Sequence, residues 1–118
     1  MSEIIDSVST RIEVKNIGDA LPTYQRLAGD SPVRELSFPE FRLAVVGPFM
    51  LFEGDPEVLA AHRRNATLRV HDLDAAIAAF TSRGGELVSP VAPAAGGRRV
   101  HLKDRDGNLF ECFEPGAA

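Results

Sequence analysis

Two stretches of this chain run through the same order of elements, a strand, a helix and three strands, on either side of a short connector. Such a duplication constrains topology more strongly than any single motif. In the first copy, Ser9 to Lys15 alternates like a half-buried strand, with Thr10, Ile12 and Val14 on one face. A helix over Ile17 to Ala28 follows, short or bent because Pro22 lies within its first turns. Val33 to Ser37, Phe41 to Val46 and Phe49 to Glu53 read as strands, separated by Phe38-Pro39-Glu40 and Gly47-Pro48.

The connector opens with Gly54-Asp55-Pro56. An Asp cap followed by Pro at the first helical position predicts a short helix over Glu57 to Arg63. In the second copy, Asn65 to His71 is a strand, and Leu73 to Ser82 is a helix capped by Asp72 and stopped at Gly84-Gly85. Glu86 to Ser89, Arg98 to Lys103 and Leu109 to Glu114 are the remaining strands. Between them PVAPAAGG reads as a loop, with Ala94-Ala95-Gly96-Gly97 as a mobile lip over a pocket. The chain is thus expected to be one domain over residues 1–118, with modules at 7–53 and 65–114 and a connector at 54–64.

With 118 residues the chain can bury a core without staples. A net charge of −4 argues against a nucleic-acid partner, since Arg63-Arg64 and Arg98-Arg99 are too short to form a basic stripe. No apolar run reaches membrane-spanning length, and MSEIIDSVST lacks the apolar core of a secretory signal. The lone Cys112 excludes an internal disulfide and fits a reducing compartment, so a cytoplasmic location is expected.

Asn65 to Ala79, NATLRVHDLDAAIAA, and Asp104 to Glu114, DRDGNLFECFE, together resemble the vicinal oxygen chelate superfamily. That superfamily includes glyoxalase I, the extradiol dioxygenases and the bleomycin- and fosfomycin-resistance proteins. The resemblance covers nearly all of the second half and the first half in outline. It implies an α+β fold in which two βαβββ modules form mostly antiparallel sheets curled into a cup around a ligand. It also implies a homodimer, sometimes with modules exchanged, and open edge strands favour the same outcome.

The family's metal ligands come from the first and last strand of each module. Superposing the halves through Gly47 and Gly107 sets Phe49 opposite Leu109 and Leu51 opposite Glu111, while Val14 and Val70 pair Ser9 with Asn65. The four positions are then Ser9, Leu51, Asn65 and Glu111. A transition metal wants three or more imidazole, carboxylate or thiolate donors, so no metal site and no cofactor are expected. His62, on the connector helix, reads as solvent-exposed and His71 as a surface residue beside the Asp72 cap. His101 resembles a ligand-contacting aromatic position of the fosfomycin-resistance branch.

Strand parity lists the side chains facing the cup, since residues two apart share a face. Leu109, Glu111 and Phe113 share that face, while Phe110 and Cys112 face the helix. Ser9, Arg11, Glu13, Phe41, Leu43, Val45, Phe49, Leu51 and Glu53 are assigned to it from the first half, leaving Met50 and Phe52 as core. Asn65, Thr67, Arg69, Arg99 and His101 complete it from the second. A greasy wall with a few convergent polar groups suits a mid-sized organic ligand. The alternative is that the large side chains fill the cup themselves. Glu111 must be paired, metal-bound or protonated there, or salt-bridged to Arg69 or Arg99.

Two functions follow. One is a metal-independent small-molecule-binding protein of the glyoxalase/bleomycin-resistance type, sequestering an antibiotic or another hydrophobic metabolite. Its ligand would meet Ser9, Arg11, Phe41, Leu43, Phe49, Leu51, Asn65, Thr67, Arg69, Arg99, His101, Glu111 and Phe113. The other is a lyase- or isomerase-type enzyme with Glu111 and His101 as its catalytic proton-transfer pair. A metal-dependent glyoxalase or dioxygenase, and a partner-binding module with a filled cup, are weaker alternatives.

Overall fold

In the computed structural model, which describes residues 3–116, nine strands and three helices make an α+β chain. They run β1 (Ile5–Glu13), α1 (Ile17–Leu27), β2 (Val33–Ser37), β3 (Phe41–Val46), β4 (Phe49–Gly54), α2 (Pro56–Ala61), β5 (Ala66–Val70), α3 (Leu73–Thr81), β6 (Glu86–Leu87), β7 (Ala92–Ala94), β8 (Gly97–Lys103) and β9 (Leu109–Pro115). Two compact units result: residues 9–63, the first-half unit, and residues 64–116 together with 3–8, the second-half unit.

The boundary differs from the expected module start. β1 begins at Ile5, and its opening residues belong to the second-half unit. There the His71 amide donates to the Ile4 carbonyl at 3.3 Å, and the His71 ring lies 2.6 Å from Asp6 Oδ1. Asp6 and Ser7 interrupt the apolar alternation, which hides this start from a hydrophobicity pattern.

Local chemistry sets the helix starts. Asn16 accepts the Asp19 amide at 2.9 Å, Asp55 accepts that of Glu57 at 2.9 Å and Asp72 accepts that of Ala75 at 3.0 Å. Each side-chain oxygen satisfies an amide that the helix cannot. After α3 the chain turns at Gly84 and Gly85. A side chain on Gly85 would place its Cβ 2.5 Å from the Lys103 carbonyl oxygen, so only glycine fits.

In the first-half unit the strand order is β2-β3-β4-β1, antiparallel except for the parallel β4–β1 pair. One face carries Ile12, Val14, Ala44, Phe49 and Leu51, which pack on Ile17, Ala20, Leu21 and Tyr24 of α1. The other carries Phe41, Leu43, Val45, Met50 and Phe52, packed with Leu59 of α2. In the second-half unit β9 lies between β5, its parallel partner, and antiparallel β8. Leu68, Val70, Val100, Leu102, Phe110 and Cys112 pack on Leu73, Ala76, Ile77 and Phe80 of α3. The opposite face bears no helix of this unit.

These faces correct the register of the first half. Val46 pairs with Phe49 across a two-residue turn, whereas Lys103 pairs with Leu109 across a five-residue loop, so Gly47 and Gly107 are not equivalent. β1–β4 pairs Thr10 with Phe49, and β5–β9 pairs Ala66 with Phe110. The structural counterpart of Glu111 is therefore Met50, and that of Leu51 is Cys112. A slip of one residue moves every side chain to the other face. Phe49 and Leu51, expected in the cup, are core against α1, and Met50 and Phe52, expected as core there, lie on the opposite face. Glu53 turns the same way as Leu51 and accepts the Ile17 amide at 2.8 Å.

The second correction concerns residues 86–97. β6 is only two residues long, and part of the expected loop and lip is β7, which forms a hairpin with β8 through Ala94 and Gly97. Pro93 is tolerated because β7 has a single neighbour and its missing N–H interrupts no second ladder. Among the described residues no helix is long and apolar enough to cross a membrane.

Candidate functional site

On the helix-free face of the second-half unit, the ladders align side chains in rows across β5, β9 and β8. Thr67, Glu111 and His101 form one row, and Arg69, Phe113 and Arg99 form the next. Residues directly opposite in a ladder point to the same side, so each row is a contiguous polar or aromatic stripe.

The first row is tightly organised. Thr67, buried, donates its hydroxyl to Glu111 Oε1 at 3.2 Å. Glu111 Oε2 lies 3.7 Å from His101 Nε2, and these side chains are 19% and 17% exposed. Ser89 Oγ accepts the His101 amide at 3.2 Å and sits 3.1 Å from His101 Nδ1. When Ser89 donates to Nδ1, the remaining ring proton is on Nε2 and faces the carboxylate. Carboxylate and imidazole are thus each oriented by a hydroxyl. Among the described residues Glu111 forms no salt bridge to Arg69 or Arg99, the partners expected for it, and His101 is one of its near neighbours.

In the second row Arg69 and Arg99 are exposed and flank the half-buried Phe113. Among the described residues neither arginine enters an ion pair. Lys103, on the same face, is 3.6 Å from Glu86. Asn65 is exposed at the strand entrance, where its amide donates to Asn108 at a long 3.5 Å. Behind the sheet, burial first and the nearby Glu111 charge second push the Cys112 thiol up to about 11. It is a buried hydrophobe rather than a nucleophile.

The first-half unit offers much less open surface. Leu43 and Phe52 are 7% and 5% exposed beneath Leu59, so the expected greasy wall is largely covered by α2. Arg11 is engaged as well: its guanidinium lies 4.6 Å from the Phe52 ring centroid and donates to the His62 carbonyl at 2.7 Å. Phe41 stacks on Phe38 at 4.8 Å and meets the His62 ring at a tilt, 4.8 Å between centroids. His62 is accordingly half-buried, not the solvent-exposed group expected from its place on the connector. Ser9 is half-buried in β1. Sequence reasoning missed Ser89, because the β6–β8 pairing, continued by the Val88-to-His101 backbone bond, brings it beside the imidazole from far along the chain.

At the positions where the resemblance implies metal ligands, neither unit by itself carries the donors a transition metal wants. With the register corrected, the first-half unit supplies a hydroxyl, Ser9, and a thioether, Met50; the second-half unit supplies a carboxamide, Asn65, and one carboxylate, Glu111. Among the described residues no group of three or more His, Cys, Asp or Glu could hold a metal ion. A depression on the helix side, lined by Ala79, Phe80, Arg83, Asp104 and Arg105, has a volume of about 240 Å³. It falls below the roughly 300–1,000 Å³ of ordinary ligand pockets.

The family model of the Glyoxalase/Bleomycin resistance protein/Dioxygenase superfamily matches residues 8–112. Among solved structures, an uncharacterized protein from Methanosarcina mazei superposes with a TM-score of 0.87 at 24% identity, over 98% of this chain and 97% of the other. Methylmalonyl-CoA epimerase from Mycobacterium tuberculosis gives 0.72 at 21% identity, over 99% and 93%. A hypothetical protein from Bacillus halodurans gives 0.65 at 19%, over 97% and 95%. No curated protein matches the chain. At these identities the likeness is one of fold.

Proposed function

The chain belongs to the Glyoxalase/Bleomycin resistance protein/Dioxygenase superfamily, and from that premise we propose that it binds a small organic molecule without a metal ion, on the helix-free face of its second-half unit. The observation that carries this reading is the Thr67–Glu111–His101 row, polar and partly buried, beside the exposed Arg69–Phe113–Arg99 row. Partly buried polar groups bordering an aromatic ring are what a ligand site needs for orientation and for apolar contact. Sequestration of an antibiotic or another metabolite is the form this would take. A large stacked drug is disfavoured, since the chain has no Trp and its one Tyr, Tyr24 of α1, packs edge-on against Phe49 in the core.

A second reading rests on one distance. Glu111 and His101 are 3.7 Å apart, each held by its own hydroxyl, which suits a general acid–base pair acting on a carbon acid. A fold shared with an epimerase permits this chemistry without assigning it. A homodimer in the cytoplasm remains part of the proposal. Leu87, Val88 and Val91 are exposed at and just beyond the edge strand β6, where a second copy could cover them.

A thermal-shift screen tests the main reading, with small organic molecules in one arm and divalent metals in the other. A ligand that binds only the folded state adds about 2.7 kcal/mol of stability at a hundredfold excess over its Kd. Shifts with organic compounds alone support it. A metal shift abolished by Glu111→Ala overturns it.

A further inference from the structure

The geometry points to an organic acid as the ligand, its oxyanion gripped by Arg69 and Arg99 astride Phe113; this inference rests on the proposed binding face. Both arginines lie opposite Phe113 in the β5–β9 and β9–β8 ladders and therefore point to the same side. Neighbouring strands are spaced about 4.8 Å apart, so the two Cα atoms are roughly 10 Å apart. Two guanidinium side chains of this length can close over one group bound between them.

Three other arginines of the chain are already held in ion pairs. Arg42 meets Glu35 and Glu53, Arg63 meets Glu13, and Arg98 meets Glu114, whereas Arg69 and Arg99 enter no ion pair among the described residues. The chain carries a net −4, yet here two cations stand side by side with an aromatic ring between them. Like charges so placed repel, and an anion between them relieves that cost. Guanidinium forks match carboxylate and phosphate oxygens in a planar, bidentate fashion, which a single ammonium cannot do.

The rest of the face defines the other end of the ligand. The Phe113 ring offers an apolar surface, and the Gly96 turn of the β7–β8 hairpin lies beside its tip, where an added Cβ would be 3.9 Å from Phe113 Cζ. Glu111, in the next row, can accept a hydrogen bond from a hydroxyl or amine but repels a second anion. The fitting class is a compact acid with one oxyanion and an apolar body. A carboxylate and a phosphate ester share that chemistry.

Isothermal titration of the full-length protein with phenylacetate, phenyl phosphate and the neutral phenylacetamide decides the matter. Binding of either acid, with phenylacetamide at least about tenfold weaker, is expected, because one charge-assisted pairing is worth about a factor of ten. Arg69→Gln and Arg99→Gln should each weaken the acid about tenfold, Arg105→Gln should leave it unchanged, and added salt should weaken it further. A preference for one acid identifies the oxyanion. Equal binding of acid and amide, or full affinity in both arginine variants, overturns the anion grip while leaving the binding face intact. Binding of none of the three overturns both. Unchanged melting temperatures in the variants exclude misfolding as the cause of a loss.

Discussion

Glu53 and Glu114 hold the same place in their respective units: each carboxylate, on the last strand, accepts the first amide of its unit's helix. Ile17 N lies 2.8 Å from Glu53 Oε1, and Leu73 N lies 2.8 Å from Glu114 Oε2. Behind each stands an arginine of the neighbouring strand, Arg42 at 3.6 Å from Glu53 and Arg98 at 2.8 Å from Glu114. A carboxylate at a helix N-terminus satisfies an orphan amide and meets the positive end of the helix dipole. The pairing also gives the true repeat register, since it aligns Phe49 with Phe110 and Leu51 with Cys112.

Removing either carboxylate should therefore cost stability. Glu53→Ala and Glu114→Ala are each expected to lower unfolding free energy by about 1 kcal/mol, the scale of a lost N-terminal cap. Urea titration measures it. Arg98 first, then the Leu73 amide, hold the Glu114 carboxyl below its ordinary value. A carboxyl lowered on folding contributes stability above its unfolded value, ~4.3, and loses it as the pH falls through its folded value. The wild type should thus weaken below about pH 4.3 more steeply than Glu114→Gln. Parallel acid profiles would contradict this.

The same register decides what Phe49 and Leu51 do. Both pack against α1, and Leu51 is fully buried. Phe49→Ala and Leu51→Ala should destabilise the fold by about 2–5 kcal/mol. Neither should change ligand affinity when measured well below the melting temperature. A variant that keeps its stability but loses ligand would return these side chains to the binding face.

The strand, helix and turn order was legible because alternation, Asp and Asn caps and Gly-Pro punctuation are local signals. Five strands, β2, β3, β4, β6 and β9, begin where the pattern predicts. Parity in the second half held as well, since Cys112 and Phe110 do face α3. In the first half β3 kept its expected face, with Leu43 and Val45 away from α1, but β4 did not, because a turn of two residues and a loop of five both contain a glycine. Burial patterns offered no rescue: β4 is apolar at Phe49, Met50, Leu51 and Phe52 in succession, so either parity looks hydrophobic. The cover provided by Leu59, and the approach of Ser89 to His101, depend on tertiary packing that no local window contains.

Cys112 should be unreactive in the native protein. With its thiol pushed up to about 11, almost no thiolate exists at pH 7.5. Alkylation by iodoacetamide is expected only after unfolding. Rapid labelling of the folded protein, without loss of structure, would mean that the α3-facing core opens readily.

Glu111→Gln separates the two functional readings. The amide keeps the shape and can still accept the Thr67 hydroxyl, so ligand affinity should change by less than about tenfold. Proton transfer, by contrast, requires the carboxylate as base and should fall by about 10²–10⁴ if it is the activity. Solvent-deuterium incorporation into a bound carbon acid reports it.

The most direct measurement of the binding face is side-chain NMR of the protein titrated with the best organic ligand from the thermal screen. The account predicts shifts in the Thr67 methyl, the His101 ring and the Phe113 ring, with the Leu73 and Val100 methyls of the opposite face nearly unmoved. Shifts concentrated at Phe80 and its surroundings beside α3, with the His101 and Phe113 rings silent, would contradict it.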